Sequence, residues 1–135
     1  MDLKSLKTST EKENEGVWQP AGEGCELKIA RFGNPRSQRL FQSLTRPFRR
    51  QIENGTMDPQ KQEDIVCRVL AEAVLLDWRG LEESRNGDGP KELVYSTEEA
   101  FRVLKEYPEL RTMVEDYSKD VEAYRERELE ESAGN

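Results

Sequence analysis

Two pairs of carboxylates, Glu63-Asp64 and Glu82-Glu83, are what general acid–base chemistry would draw on in this chain. Residues adjacent in sequence face different ways, so neither pair offers two carboxyl groups whose environments push their pKa values apart. Histidine is absent. Its loss removes the side chain that exchanges protons most readily near neutral pH, and the commonest nitrogen ligand for zinc. Ser96 therefore has no imidazole to activate it. Cys25 and Cys67 are far apart and outside any C-x-x-C pattern. They are too few for a tetrahedral metal site and read as small buried apolar residues in a reducing compartment. Asp77 reads as a capping or pairing acid. No glycine loop of the phosphate-cradling kind is present. The expectation is a protein that is not an enzyme and holds no cofactor or metal.

What remains is charge and apolar surface. Charged residues make up 36% of the 135-residue chain, apolar ones only 34%, and the net charge is -7. This composition predicts a small core and disordered ends. The charge is segregated. Residues 27–52 carry seven bases (Lys28, Arg31, Arg36, Arg39, Arg46, Arg49 and Arg50) and no acid, whereas residues 109–131 carry nine acids and four bases. Three readings are open: solvated helix faces, a head-to-tail contact between subunits that builds a ring or helical stack, and nucleic-acid binding through the arginines. No recognised nucleic-acid motif surrounds those arginines, and the acidic remainder would repel a polyanion, so no nucleic acid is expected. Phe41, Leu44 and Phe48, rimmed by Arg39, Arg46, Arg49 and Arg50, form either a groove for a partner helix or an ordinary core face. Trp78 is either a lid on the core or an interface hot spot, and Tyr95 has the same ambiguity.

The elements that would position these residues follow from spacing. Residues 1–14 are polar and read as a disordered tail. Cys25, Leu27 and Ile29 alternate with polar neighbours, the period of a half-buried strand. A β-hairpin pairing residues 15–19 with 25–32 is the simplest structure. Leu40, Phe41, Leu44, Phe48 and Ile52 predict a helix over residues 36–53 that Pro47 must kink, with Asn54-Gly55 as its stop. Asp58 and Pro59 open a second helix predicted to run to about Arg79 and to end at Gly80. Residues 82–92 read as a flexible loop. Ser96 and Glu99 form a capping box for a third helix, which Tyr107-Pro108 ends. A fourth carries Leu110, Met113, Val114, Tyr117, Val121 and Tyr124 on one stripe. The fold class is mainly α (α+β): a four- to five-helix domain over residues 15–127 with a small N-terminal hairpin, and a frayed tail over 128–135. The N-terminus is no signal peptide, and no stretch approaches the roughly 18 apolar residues of a membrane span, so no membrane is expected as a partner.

Three anchors occur in fixed order: Leu27-Lys28-Ile29-Ala30-Arg31-Phe32-Gly33-Asn34, then Asp77-Trp78-Arg79-Gly80-Leu81, then Tyr95-Ser96-Thr97-Glu98-Glu99. In order and spacing they resemble the tail assembly chaperones of long-tailed bacteriophages. The resemblance implies a mostly helical fold and a protein that binds the tape measure protein. It would keep that long helical chain soluble, and help recruit tail tube subunits, as many of these phages do through a frameshifted longer form. It implies a homo-oligomer working in the host cell cytoplasm and absent from the mature virion, with Arg39, Phe41, Leu44, Arg46, Phe48, Arg49, Arg50, Trp78 and Tyr95 as candidate partner-binding residues. The loop at 82–92 is long for that pattern. The alternatives are a small phage structural or connector protein, and a nucleic-acid-binding regulator using residues 27–52.

Overall fold

Alternation at residues 25–29 yields a strand that finds partners on both edges. In the computed structural model, which describes residues 1–126, β1 (Val17–Pro20) pairs antiparallel with β2 (Glu26–Ile29), Val17 opposite Ile29 and Pro20 opposite Glu26. Leu27 and Ile29 are fully buried, and Cys25 nearly so. The expected hairpin is therefore present, but it is not alone. A third strand, β3 (Leu75–Arg79), lies antiparallel along the other edge of β2, with Leu27 opposite Trp78 and a bulge between Lys28 and Ile29.

That strand corrects the expectation of one helix running to about Arg79. Helix α4 (Pro59–Ala73) stops at Val74, which leaves helical space at φ -127°, ψ -59°. The run Val74-Leu75-Leu76-Asp77-Trp78 is apolar enough to be buried as helix or as strand, and its periodicity does not decide. The open edge of β2 does, because its backbone groups need partners. Gly80 accordingly ends a strand rather than a helix. Its φ is +73°, and a Cβ there would overlap the Gly24 carbonyl oxygen, so two turns meet backbone to backbone.

The helices otherwise follow their signals. Asn34 caps α2 (Pro35–Thr45), and Pro47 sits in a 3-10 turn, Arg46–Phe48, that joins it to α3 (Arg49–Glu53). Asp58 caps α4, accepting from the Gln60 amide at 3.0 Å, with Pro59 in the first turn. Ser96 caps α5 (Thr97–Glu106), accepting from the Glu99 amide at 3.0 Å. The Glu99 carboxylate accepts from Arg102. Helix α6 (Pro108–Lys119) ends before the predicted stripe does, and Val121–Tyr124 forms a separate 3-10 turn. The result is a mainly helical α+β fold with an N-terminal hairpin, the class read from the sequence.

Two apolar clusters hold it together. The larger joins Leu27, Ile29 and Trp78 of the sheet to Leu70 and Ala71 of α4, Ala100, Val103 and Leu104 of α5, and Val114 of α6. The smaller joins Met57, Ile65 and Val69 to Leu40, Leu44 and Phe48. Ile65 and Val69 lie on one face of α4; Cys67, Leu70 and Ala71 lie on the opposite one. So α2 and α5 pack on opposite sides of α4.

Residues 1–14, expected as a disordered tail, contribute a 3-10 turn (Leu3–Leu6) and helix α1 (Thr10–Glu15). The Ser9 amide donates to the Tyr124 carbonyl at 2.7 Å, the Glu126 amide to Lys7 at 3.1 Å and the Arg31 amide to Glu13 at 2.9 Å. Tyr124 is fully buried, and its hydroxyl donates to the Ile29 carbonyl at 3.0 Å; burial pushes its phenol pKa well up. The expected loop at 82–92 contains a minimal ribbon, β4 (Glu82–Glu83) with β5 (Lys91–Glu92). The frayed tail expected at 128–135 lies outside the described residues.

Candidate functional site

The first surface to consider is the one the arginine run marks. Leu44 and Phe48 turn inward from α2 and the following turn, packing with Leu40 on Met57, Ile65 and Val69. They are half-buried against that cluster, more sheltered than Phe41. Phe41 is left toward solvent, 48% exposed, and Ile52 of α3 is 44% exposed. Together with Arg46, Arg49 and Glu53 they line a shallow hollow. Arg39 and Arg50 are also exposed. The charge state of this surface is distinctive. Each of the seven other described arginines, Arg31, Arg68, Arg79, Arg85, Arg102, Arg111 and Arg125, forms an ion pair. Among the described residues, Arg36, Arg39, Arg46, Arg49 and Arg50 have no ion pair.

Trp78 and Tyr95 lie in the other cluster and are tied together. Trp78 is buried in β3; its Nε1–H donates to the Leu93 carbonyl at 2.8 Å. Its ring meets Tyr95 edge-on, centroids 4.9 Å apart. The Tyr95 hydroxyl donates to the Leu75 carbonyl at 2.8 Å, and burial raises its pKa. Every strong donor of the pair is used inside the chain. Their place is structural: with Leu27 opposite Trp78, they bring the three sequence anchors to one point, where residues 93–95 are clamped to the sheet.

That clamp forms one wall of a hollow that spacing alone did not mark. Leu81, Leu93, Val103, Leu110 and Met113 enclose about 360 Å³ between the ribbon and helices α5 and α6, open to solvent, with Glu82, Glu83 and Glu109 at its margin. Leu81 and Leu93 flank a polar loop, and the isolated apolar residue at each end was the available signal. Met113 belongs to the α6 stripe but is 36% exposed.

The wall is held in place electrostatically. The Glu83 side chain is only 7% exposed. It accepts from Arg102 at 3.0 and 3.2 Å, from the Tyr107 hydroxyl at 2.5 Å and from Arg85 at 2.7 Å. The Arg102 bonds above all, then that from Tyr107, hold its carboxyl down to about 2. Arg102 also donates to Glu99 and to Glu106, and its bonds to Glu99 and then Glu83 raise its own pKa. Tyr107 is raised in turn by the bond to Glu83. The ribbon is thereby fastened to α5. Glu83 and Tyr107, both in the hollow's lining, are engaged with each other. Cys25 and Cys67 are free and buried, and burial raises both thiols. Among the described residues no three side chains could hold a metal ion, and no helix is long and apolar enough to cross a membrane.

Fold and surfaces together define a small, mainly helical α+β protein whose surface carries an apolar hollow and an arginine-flanked aromatic. The chain belongs to the YdaY prophage protein family, whose model matches residues 32–135, more than half of its length. It is thus a phage-derived protein. The match begins at Phe32, so the hairpin and helix α1 lie outside it. No match is found among curated proteins or among solved structures.

Proposed function

We propose that this prophage protein is a tail assembly chaperone. It would shelter an apolar helical turn of the tape measure protein in the hollow between the ribbon and α6, and help recruit tail tube subunits. The observation that carries the reading is that hollow. It is open, walled by five apolar side chains, and braced by a saturated polar network rather than by groups free to react. A helix presents apolar side chains at i, i+3, i+4 and i+7, and a hollow of this size takes one or two of them. Weak sites of this kind act together when many copies line one long chain. Membership of a prophage family supports the setting. The contiguity of the three anchors, Leu27 against Trp78 and Trp78 against Tyr95, supports the resemblance on which the choice of partner rests. The work would be done in the host cytoplasm, and the protein would leave before the particle is complete.

The test is co-expression with the tape measure protein of the same prophage. The soluble fraction of that chain should rise with the wild-type protein, and less so with Met113→Glu, provided the variant melts as the wild type does. Equal precipitation of the partner with and without this chain would refute the proposal. Mass spectrometry of purified particles then separates a chaperone, which is missing, from a connector, which is retained.

A further inference from the structure

We propose that Phe41 of one copy docks into the hollow between the ribbon and α6 of a second copy, joining the chains head to tail. This does not rest on the chaperone reading.

The two surfaces are complementary in shape and in charge. Phe41 stands out of α2 at 48% exposure, with Ile52 beside it at 44%. The hollow is concave, about 360 Å³, with an apolar lining. Beside Phe41 lie Arg46 and Arg49, neither in an ion pair, with a single acid, Glu53, among them; Arg39 and Arg50, also without an ion pair, are exposed on α2 and α3. Around the hollow and along the adjoining face of α6 lie Glu82, Glu109, Asp116 and Asp120. Those acids are exposed and, among the described residues, none of them is in an ion pair either. Every other described arginine in the chain has found an acid. The unpaired arginines and the unpaired acids at the hollow are of opposite sign, and each group borders an exposed apolar feature.

One chain cannot bring them together. Phe41 is on α2, which packs on the Ile65–Val69 face of α4, while the hollow is built on α5 and α6, beyond the opposite face. The contact must therefore form between copies. Because the joined surfaces differ, each copy keeps one free knob and one free hollow, and growth continues until a ring closes or a stack runs on. Exposed charges carry part of the attraction, so it weakens as salt is added. A partner helix and a second copy would compete for the same hollow.

Sedimentation velocity of the protein alone, over a concentration series at low and at physiological salt, tests this directly. Wild type should pass beyond dimer as concentration rises, and salt should reverse it. Phe41→Asp, which lacks the knob, and Met113→Asp, which lacks the hollow, should each be monomeric. Mixed one to one they should form a dimer and nothing larger, because the first retains a hollow and the second a knob. A second pair avoids burying a charge: Arg46→Glu/Arg49→Glu and Glu82→Arg/Glu109→Arg should fail alone and assemble together. Monomeric wild type up to about 0.5 mM at low salt, within the range of transient contacts, would overturn the proposal. So would Phe41→Asp that assembles like wild type, a mixture that stays monomeric, or a wild type that retards nucleic acid without self-association. No tape measure protein is present in these measurements, so their failure is separate from failure of the chaperone reading.

Discussion

Replacing Trp78 by phenylalanine probes the join on which the hollow depends. The indole is 5% exposed and its N–H is committed to the Leu93 carbonyl at 2.8 Å. Trp78→Phe deletes that hydrogen bond, worth about 1 kcal/mol net. Leu93 is half-buried, so water can partly replace the lost donor and the full cost of an orphaned carbonyl does not apply. The smaller ring leaves roughly 40 Å³ unfilled, which at about 24 cal/mol per Å³ adds about 1 kcal/mol. The edge-on contact with Tyr95 survives, because phenylalanine keeps a ring edge. The sum is about 2 kcal/mol, which for a chain of this length lowers the melting temperature by about 8 °C. Thermal unfolding followed by far-ultraviolet circular dichroism reads this shift. Trp18→Phe is the control. Trp18 is half-buried on β1 with the Arg79 guanidinium 4.0 Å over its ring, and its loss should cost no more than about 1 kcal/mol. If Trp78→Phe melts within about 2 °C of wild type, the indole is not clamped to residue 93, and the wall of the hollow is not fastened as described.

Three further outcomes are expected. Gly80→Ala should destabilise by more than about 3 kcal/mol in urea titration, because a left-handed backbone alone costs alanine about 1–2 kcal/mol and its Cβ would strike Gly24; Gly55→Ala, at φ +67° with open space around it, should cost only about 1 kcal/mol. Glu83 titrates at about 2 in the fold against its ordinary 4.5, so as pH falls through that window the unfolded chain takes up the proton first and stability drops. Melting temperatures from pH 6 down to about 2 should fall less steeply in Glu83→Gln, although Glu99, also lowered by Arg102, preserves part of the slope; an identical slope would show that the Glu83 bonds do not persist in solution. Cys25 and Cys67, both buried, should react with a thiol reagent only at the rate of unfolding, and rapid labelling of the native protein would contradict their burial.

Local signals read well where one residue decides a local event. Alternation at Cys25, Leu27 and Ile29, the caps at Asp58 and Ser96, and the break at Pro47 all formed as their chemistry dictates. The end of α4 did not, because whether Val74 to Trp78 coils or extends depends on a partner 50 residues earlier in the chain. Nothing in the run itself records that an open edge of β2 is waiting. The same limit applies to the surfaces. Helical spacing places Phe41, Leu44 and Phe48 near one stripe, yet Leu44 and Phe48 pack against Met57, Ile65 and Val69 while Phe41 is left exposed. The hollow draws its walls from residues 81, 93, 103, 110 and 113, and only tertiary closure brings those together. The arginine cluster was visible at once, whereas its lack of ion pairs required the coordinates.

The sheet also orders events at the ribosome. Hairpin residues emerge early, but the strand that completes their far edge follows α4, and the turn that receives the first helix is at Val121–Tyr124. The bridge between Thr8 and Arg125 closes almost the whole described chain, among the longest and entropically costliest loops in the fold. The far edge of β2 therefore stays open until Leu75–Arg79 has followed α4, and the contact between Thr8 and Arg125 should form later still.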